Sequence, residues 1–201
     1  MPKKAVNAEK DVVTIDPIVS RRVCITIAGI SPLLCNAMPP RIIESLNRKA
    51  EGLGTKKDAL VRWEEKVRME GKRFLFPTVG MFRALISAAI TFGAKKGMGK
   101  KLTGTLVFPE EYVVIEAPNP PTRDVRCAVN AKGQAIGVPR PRFDQWSMSF
   151  VVDFVPEFVT LDELIQHFQQ AGFSIGLGSF RVEKRGMFGR FRVDSVQHVA
   201  V

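Results

Sequence analysis

The sequence predicts an α+β domain, built as a mainly antiparallel sheet with two helices on one face. Three observations predict it. Several short stretches alternate apolar with small or polar residues, the period of a half-buried strand. Two others repeat apolar residues every three or four positions behind a threonine able to cap a helix. Their order (strands, helix, strands, a long excursion, strand, helix, strand) lacks the regular alternation of a doubly wound parallel sheet.

Residues 1–21 open with Pro2, Lys3, Lys4, Asn7, Glu9 and Lys10 and show no period, so they are expected to form a flexible arm ahead of one domain spanning 22–201. Val23, Ile25 and Ile27 alternate with Cys24, Thr26 and Ala28 as a first strand, stopped by Gly29 and Pro32. Ser31–Pro40 is expected to be a loop because of its prolines. Between Pro40 and Gly71 the charge-rich chain reads as helical, with Ile42, Ile43 and Leu46 on one stripe. Leu60, Trp63 and Val67 make a second stripe after a break at 52–54. A short strand over 71–76 leads to Pro77, and Thr78 is placed to cap a helix carrying Val79, Phe82, Leu85, Ile86 and Ala89 on one face, with Arg83 elsewhere on its surface. Gly93 ends it, and Lys95, Lys96, Lys100 and Lys101 among glycines predict a mobile, positive loop.

Strands are predicted at 104–108, 112–116 and 148–154. Between the last two, Pro118, Pro120, Pro121, Pro139 and Pro141 frame a hairpin of 125–129 and 134–138 turning at Lys132 and Gly133. So long an excursion tends to carry binding surface. Thr160, with Glu163 at the capping-box position, starts a helix through Leu161, Leu164, Ile165 and Phe168 that ends at Gly172.

Thirty Lys and Arg against twenty Asp and Glu leave a net charge of +10, which attracts polyanions and releases their counterions on contact. An acidic membrane or protein surface would feel the same field. Cys24, Cys35 and Cys127 are odd in number and lack CxxC spacing, so reduced thiols in a cytoplasmic protein are expected. Apolar stretches such as Val151–Phe158 are far too short for a bilayer span, and the polar, basic start does not read as a signal peptide.

The chemistry-bearing residues fall in three clusters. In the run Gly172–Val193, Gly176, Gly178, Gly186 and Gly189 surround Arg181, Lys184, Arg185, Arg190 and Arg192, with Phe180, Phe188 and Phe191 between them. Glycines allow close approach and free amides for phosphate oxygens, arginines supply several donors, and an exposed phenylalanine stacks on a base. Phe188, Phe191 and Val193 would equally suit a core at the end of a strand. A second tract holds Arg123, Arg126, Lys132, Arg140 and Arg142, with Phe143 and Trp146 as further stacking candidates or core residues. Arg83 and the loop with Lys95, Lys96, Lys100 and Lys101 form the third. Neither a dinucleotide fingerprint nor a phosphate-binding GK[ST] motif is present. His167 and His198 lack metal-ligand spacing, and Asp144 and Asp153 are formal candidates for metal or acid work whose ordinary role is pairing with arginine. No catalytic residue, metal or cofactor is expected.

Three stretches in order resemble the Cas7-like (RAMP) superfamily, whose modified RNA-recognition-motif (RRM) fold forms the backbone of CRISPR effector complexes. VCITIAGISPLLCNAMP is similar to the family's first strand and SPLL-like loop. FPTVGMFRALISAA resembles its strand, turn and helix, with Pro77, Gly80 and Arg83 matching. SIGLGSFRVEKRGMFGRFRV resembles the glycine-rich segment, Gly186, Gly189 and Arg190 matching and Phe188 standing at the variable position. The resemblance implies an RRM-like (ferredoxin-like) β-α-β-β-α-β core with insertions at about 41–70 and 118–146. It also implies head-to-tail assembly along a strand, with Arg83 in a backbone groove and other ribonucleoprotein subunits as possible partners.

The function expected is sequence-tolerant binding of single-stranded DNA or RNA through a basic groove, by a CRISPR subunit or a stand-alone protein of a phage or mobile element. The alternatives are an RNA endonuclease using Asp144 or Asp153, and a structural subunit whose basic surface binds an acidic protein.

Overall fold

The computed structural model describes residues 17–51, 61–93, 97–129 and 133–199. Lys95, Lys96, Lys132, Leu60 and most of the N-terminal arm lie outside them. The protein has an α+β fold with antiparallel sheets and, among the described residues, four α-helices. In chain order these are β1 (Arg21–Gly29), β2 (Leu33–Leu34), α1 (Pro40–Ala50), β3 (Arg68–Glu70), β4 (Arg73–Pro77), α2 (Thr78–Phe92), α3 (Met98–Thr105) and β5 (Leu106–Val107). They continue with β6 (Tyr112–Ile115), β7 (Thr122–Val129), β8 (Ala135–Phe143), β9 (Ser147–Phe154), α4 (Leu161–Gln170) and β10 (Phe191–Val199). None of the described helices is long and apolar enough to cross a membrane.

The main sheet has the order β10-β1-β9-β5. Residues directly opposite each other point to one face, so the register Val23↔Val152, Ile25↔Phe150 and Ile27↔Met148 gathers all six side chains on a single buried face. The helices α2 and α4 cover it. Phe168 of α4 meets Phe150 at 5.5 Å between ring centroids, and Phe82 of α2 reaches the same ring through Phe108. The opposite face carries Cys24, Thr26, Ala28, Ser149, Val151, Ser195 and Gln197, held by a 2.9 Å Thr26–Ser149 hydroxyl contact and the Arg22–Asp153 ion pair at 2.6 Å. That face offers no ring to a base.

Two small sheets, β2-β8-β7 and β3-β4-β6, flank this core. Prolines 139 and 141 do not interrupt the β7–β8 ladder, because their carbonyls point away from β7, accepting hydrogen bonds from Lys66 Nζ (2.8 Å) and the Cys35 N–H (3.0 Å). The predicted loop at Ser31–Pro40 therefore contains a strand, β2, pairing with Arg142 and Phe143 and anchored by two fully buried leucines.

Other local expectations need correction. Trp63–Lys66 forms one 3-10 turn and Arg68–Glu70 turns into a hairpin with β4, because Gly71 at φ +59° closes a tight turn where the helix was expected. Thr78 is the first residue of α2 and not its cap; its hydroxyl donates to the Glu110 carbonyl at 2.6 Å. The predicted lysine loop is, from Met98, the helix α3: Met98 and Leu102, four apart, are both buried, so Lys100 and Lys101 stand exposed on a helix surface. By contrast, Thr160 and Glu163 form the predicted capping box with both of its hydrogen bonds.

Phe143 and Trp146 are core residues and not stacking platforms. Phe143 is 1% exposed and meets Phe74 edge-on at 5.3 Å, while Trp146 packs over Gly29 and donates its indole N–H to the Ser31 carbonyl at 2.8 Å. Burial removes both rings from water, and the Ser31 carbonyl satisfies the one polar atom.

Replacing Phe143 by alanine is expected to cost about 3–5 kcal/mol, read as a lower urea midpoint with unchanged slope. Burial pushes the Cys35 thiol up to about 12, so it stays protonated at pH 8. Alkylation of the folded protein at that pH should label exposed Cys127 and spare Cys35, which reacts only after unfolding.

Candidate functional site

A cavity of about 370 Å³ opens where three distant stretches meet, with Val67 and Leu75, Phe76 and Pro77 of β4 also in its lining. From α2 come Val79, Gly80, Arg83 and Ser87, spaced to share one helix face. The chain before α1 contributes Cys35, Asn36 and Ala37. The third wall is the turn Gly176–Ser179 with Arg181 and Glu183.

The two arginines of this cavity are in opposite states. Arg181 is locked, with Nε and Nη2 donating to Glu183 Oε2 at 2.9 and 2.6 Å and Nη1 to the Gly178 carbonyl at 3.2 Å. Burial alone would raise the Glu183 carboxyl, yet hydrogen bonds from Arg181 and Ser87 hold it below its ordinary value. Arg83 is exposed and makes no hydrogen bond or ion pair with the described residues. It is the cation of the cavity free to meet an incoming anion.

The glycines serve a different purpose from the one expected. The amides of Gly176, Gly186 and Gly189 donate internally, to the carbonyls of Ala171, Arg181 and Pro32 at 2.8–3.0 Å. Those three amides are not available to phosphate. What the run requires is space: a Cβ on Gly178 would strike the Leu34 carbonyl, one on Gly186 the Phe180 carbonyl, and one on Gly189 the Leu177 carbonyl. Gly189 also sits at φ +70°. Phe180 and Arg185, at φ +52° and +60°, hold the left-handed region without being glycine, a strain of order 1–3 kcal/mol each.

The second tract forms a separate, largely paired cluster. Arg126 grips Asp124 through Nε and Nη2 at 2.6 and 2.8 Å, and Arg142 reaches Asp144 at 2.7 Å and Asp124 at 3.3 Å. The Arg126 hydrogen bond, aided by Arg142, holds the Asp124 carboxyl low despite its burial. Both guanidinium groups lie over Phe188, at 4.9 and 5.8 Å, and Arg140 lies over Phe180 at 5.0 Å. Phe188 is thus a buried ring capped by arginine, closed to a base in this conformation. Arg190 stacks on exposed Phe173 at 4.8 Å and gives its backbone N–H to Ser31. Exposed Arg123, Lys184 and Arg185, with Lys100 and Lys101 on α3, stand outside the cavity lining.

The aspartates are paired as expected: Asp153 with Arg22, which holds its carboxyl low, and Asp144 with Arg142. His167 is buried with Nδ1 3.2 Å from Gln170. Among the described residues no group of three His, Cys, Asp or Glu could hold a metal ion.

Sequence reasoning identified Arg83, Arg181, Gly176 and Gly178, which the structure brings together, and missed Asn36, Ser87 and Glu183. Ser87 lies four residues after Arg83, the spacing that places both on one helix face. No protein-family model matches the chain, and no curated protein matches it either.

Gly189→Ala is expected to cost several kcal/mol, from strain plus a backbone collision, whereas Gly133→Ala, at φ +78° but in open space, should cost only about 1 kcal/mol. Equal urea midpoints for the two variants would contradict the crossing described here.

Proposed function

We propose that this protein binds single-stranded nucleic acid with little sequence preference, its phosphates lying along the Arg83 face of α2 and the turn Gly176–Arg181. The observation that carries the proposal is the exposed, unpaired Arg83 opening on one cavity with the turn Gly176–Arg181, in a chain with net charge +10. Phe143, Trp146 and Phe188 are covered, and the open face of the main sheet has no ring. Affinity would therefore rest on phosphates, which every sequence shares.

The strand order β10-β1-β9-β5, with α2 between β1 and β5 in sequence and α4 between β9 and β10, supports reading the core as an RRM-like β-α-β-β-α-β unit. It is consistent with the resemblance to the Cas7-like superfamily, with α1–β3 and the β7–β8 hairpin as insertions. Those insertions leave apolar side chains in water: Ile43 and Leu46 on α1, and Val125, Val129 and Ile136 on the hairpin. Exposed apolar surface on two excursions supports head-to-tail contacts between copies along a strand.

Arg83→Ala is expected to weaken binding to all single-stranded oligonucleotides about equally and to reduce the slope of log K against log salt by about 0.7, one phosphate contact. Unchanged affinity at low salt would remove Arg83 from the groove.

A further inference from the structure

Arg140 is the anomaly of the basic hairpin. It is 8% exposed, and burial works against its charge, yet its Nε meets no acceptor in the protein. Among the described residues its Nη1 has only a long 3.4 Å contact to the Val138 carbonyl, and its Nη2 has no hydrogen bond. The Nε–Nη2 edge is the one arginine offers side-on to an oxyanion. Arg22, Arg126 and Arg181 each give that edge to a carboxylate in this molecule. Arg140 alone among these four buried or half-buried arginines has no such partner.

A second cation stands beside it. Lys66 ends the short 3-10 turn and donates to the carbonyl of Pro139, the residue preceding Arg140, at 2.8 Å, leaving two of its three ammonium donors uncommitted. Burial, and then the nearby Arg140 charge, pull the Lys66 ammonium below its ordinary value. The Asp124 charge acts on Arg140 from nearby, but its oxygens are given to Arg126 and Arg142, and Asp144 pairs with Arg142. Four cations (Lys66, Arg126, Arg140, Arg142) face two carboxylates, an excess of two positive charges.

We infer that Lys66 and Arg140 form a binding site for a phosphate group, which meets Nη2 of Arg140 and the Lys66 ammonium and reaches the enclosed Nε once the side chains over it shift. A free phosphate's two negative charges match the excess and a strand phosphodiester supplies one of them, and in either the tetrahedral oxygens can reach both cations, whereas a carboxylate's oxygens lie in one plane. The phosphate belongs either to a bound strand or to a free anion. The site does not depend on the Arg83 groove: phosphate alone would occupy it.

The test is thermal unfolding of the whole protein in sodium phosphate and in sodium chloride at matched pH and ionic strength. At about ten times the dissociation constant, phosphate should raise Tm by roughly 3–6 °C. Lys66→Gln, which keeps a donor for the Pro139 carbonyl, should lose most of that rise, while Lys72→Gln, on the exposed β3–β4 turn, should keep it. A rise preserved in Lys66→Gln is a general salt effect and overturns the site, as does no rise in the unaltered chain. Oligonucleotide binding then identifies the source. For a strand phosphate, Lys66→Gln lowers the salt slope by about 0.7 and inorganic phosphate competes; for a free anion, the slope is unchanged. Failure of the strand reading would appear in Arg83→Ala, with the phosphate-dependent Tm rise intact.

Discussion

Where the run 176–189 passes over Leu34 and then over itself, neighbouring backbones approach too closely for any Cβ, at Gly178, Gly186 and Gly189. The rest of the candidate site hangs from those crossings. They seat the Gly189 amide on the Pro32 carbonyl and the Ser179 amide on the Leu34 carbonyl, pinning β2 and the cavity wall that follows it. They also aim Arg181 at Glu183 and turn Phe180 and Phe188 toward the hairpin arginines. A basic, glycine-rich stretch that resembles a flexible phosphate cradle is here a rigid seam. The strain at Phe180 and Arg185 persists because the crossings over-determine the path.

Electrostatics divides the basic residues by what they already hold. Arg22, Arg126, Arg142 and Arg181 are occupied by Asp153, Asp124, Asp144 and Glu183, so they contribute little free field; of these pairs Arg22–Asp153 joins two strands, while the others are local. Asp124, buried between two arginines, fastens the hairpin strands, and the Phe188 ring beneath those arginines ties the hairpin to the glycine seam. Arg83, Arg123, Lys100, Lys101, Lys184 and Arg185 remain exposed. Net charge alone therefore overstates the donors within reach of a polyanion and leaves their positions undecided.

Much of the architecture was legible because periodicity is a strong local signal. The alternation at Val23–Ile27 and the caps at Thr160 and Gly93 gave β1 and the bounds of two helices. What stayed hidden depended on partners distant in sequence. Phe143 and Trp146 suited either a stacking or a core role in the sequence, and Phe74, Gly29 and Ser31 decide for the core. The strand β2 and the prolines of β8 were masked by a residue type that usually breaks ladders, although their carbonyls turn outward to Cys35 and Lys66. The helix α3 was obscured by its glycines, since only packing of Met98 and Leu102 against the core offsets their helix cost. For the site, residue types announced Arg83 and Arg181, but whether each was free or held rested on Glu183, which pattern alone does not assign.

The position of β1 also bears on how the chain is made. It is a central strand of the main sheet, and its two neighbours, β9 and β10, begin only at Ser147 and Phe191. On the ribosome, Val23, Ile25 and Ile27 thus wait without either lateral partner until the chain from Ser147 onward has emerged. Closing loops of that length before any ladder forms makes a slow, high-contact-order folding reaction, with an apolar strand exposed throughout elongation. The early segment is the part of this molecule most in need of shielding by a chaperone during synthesis.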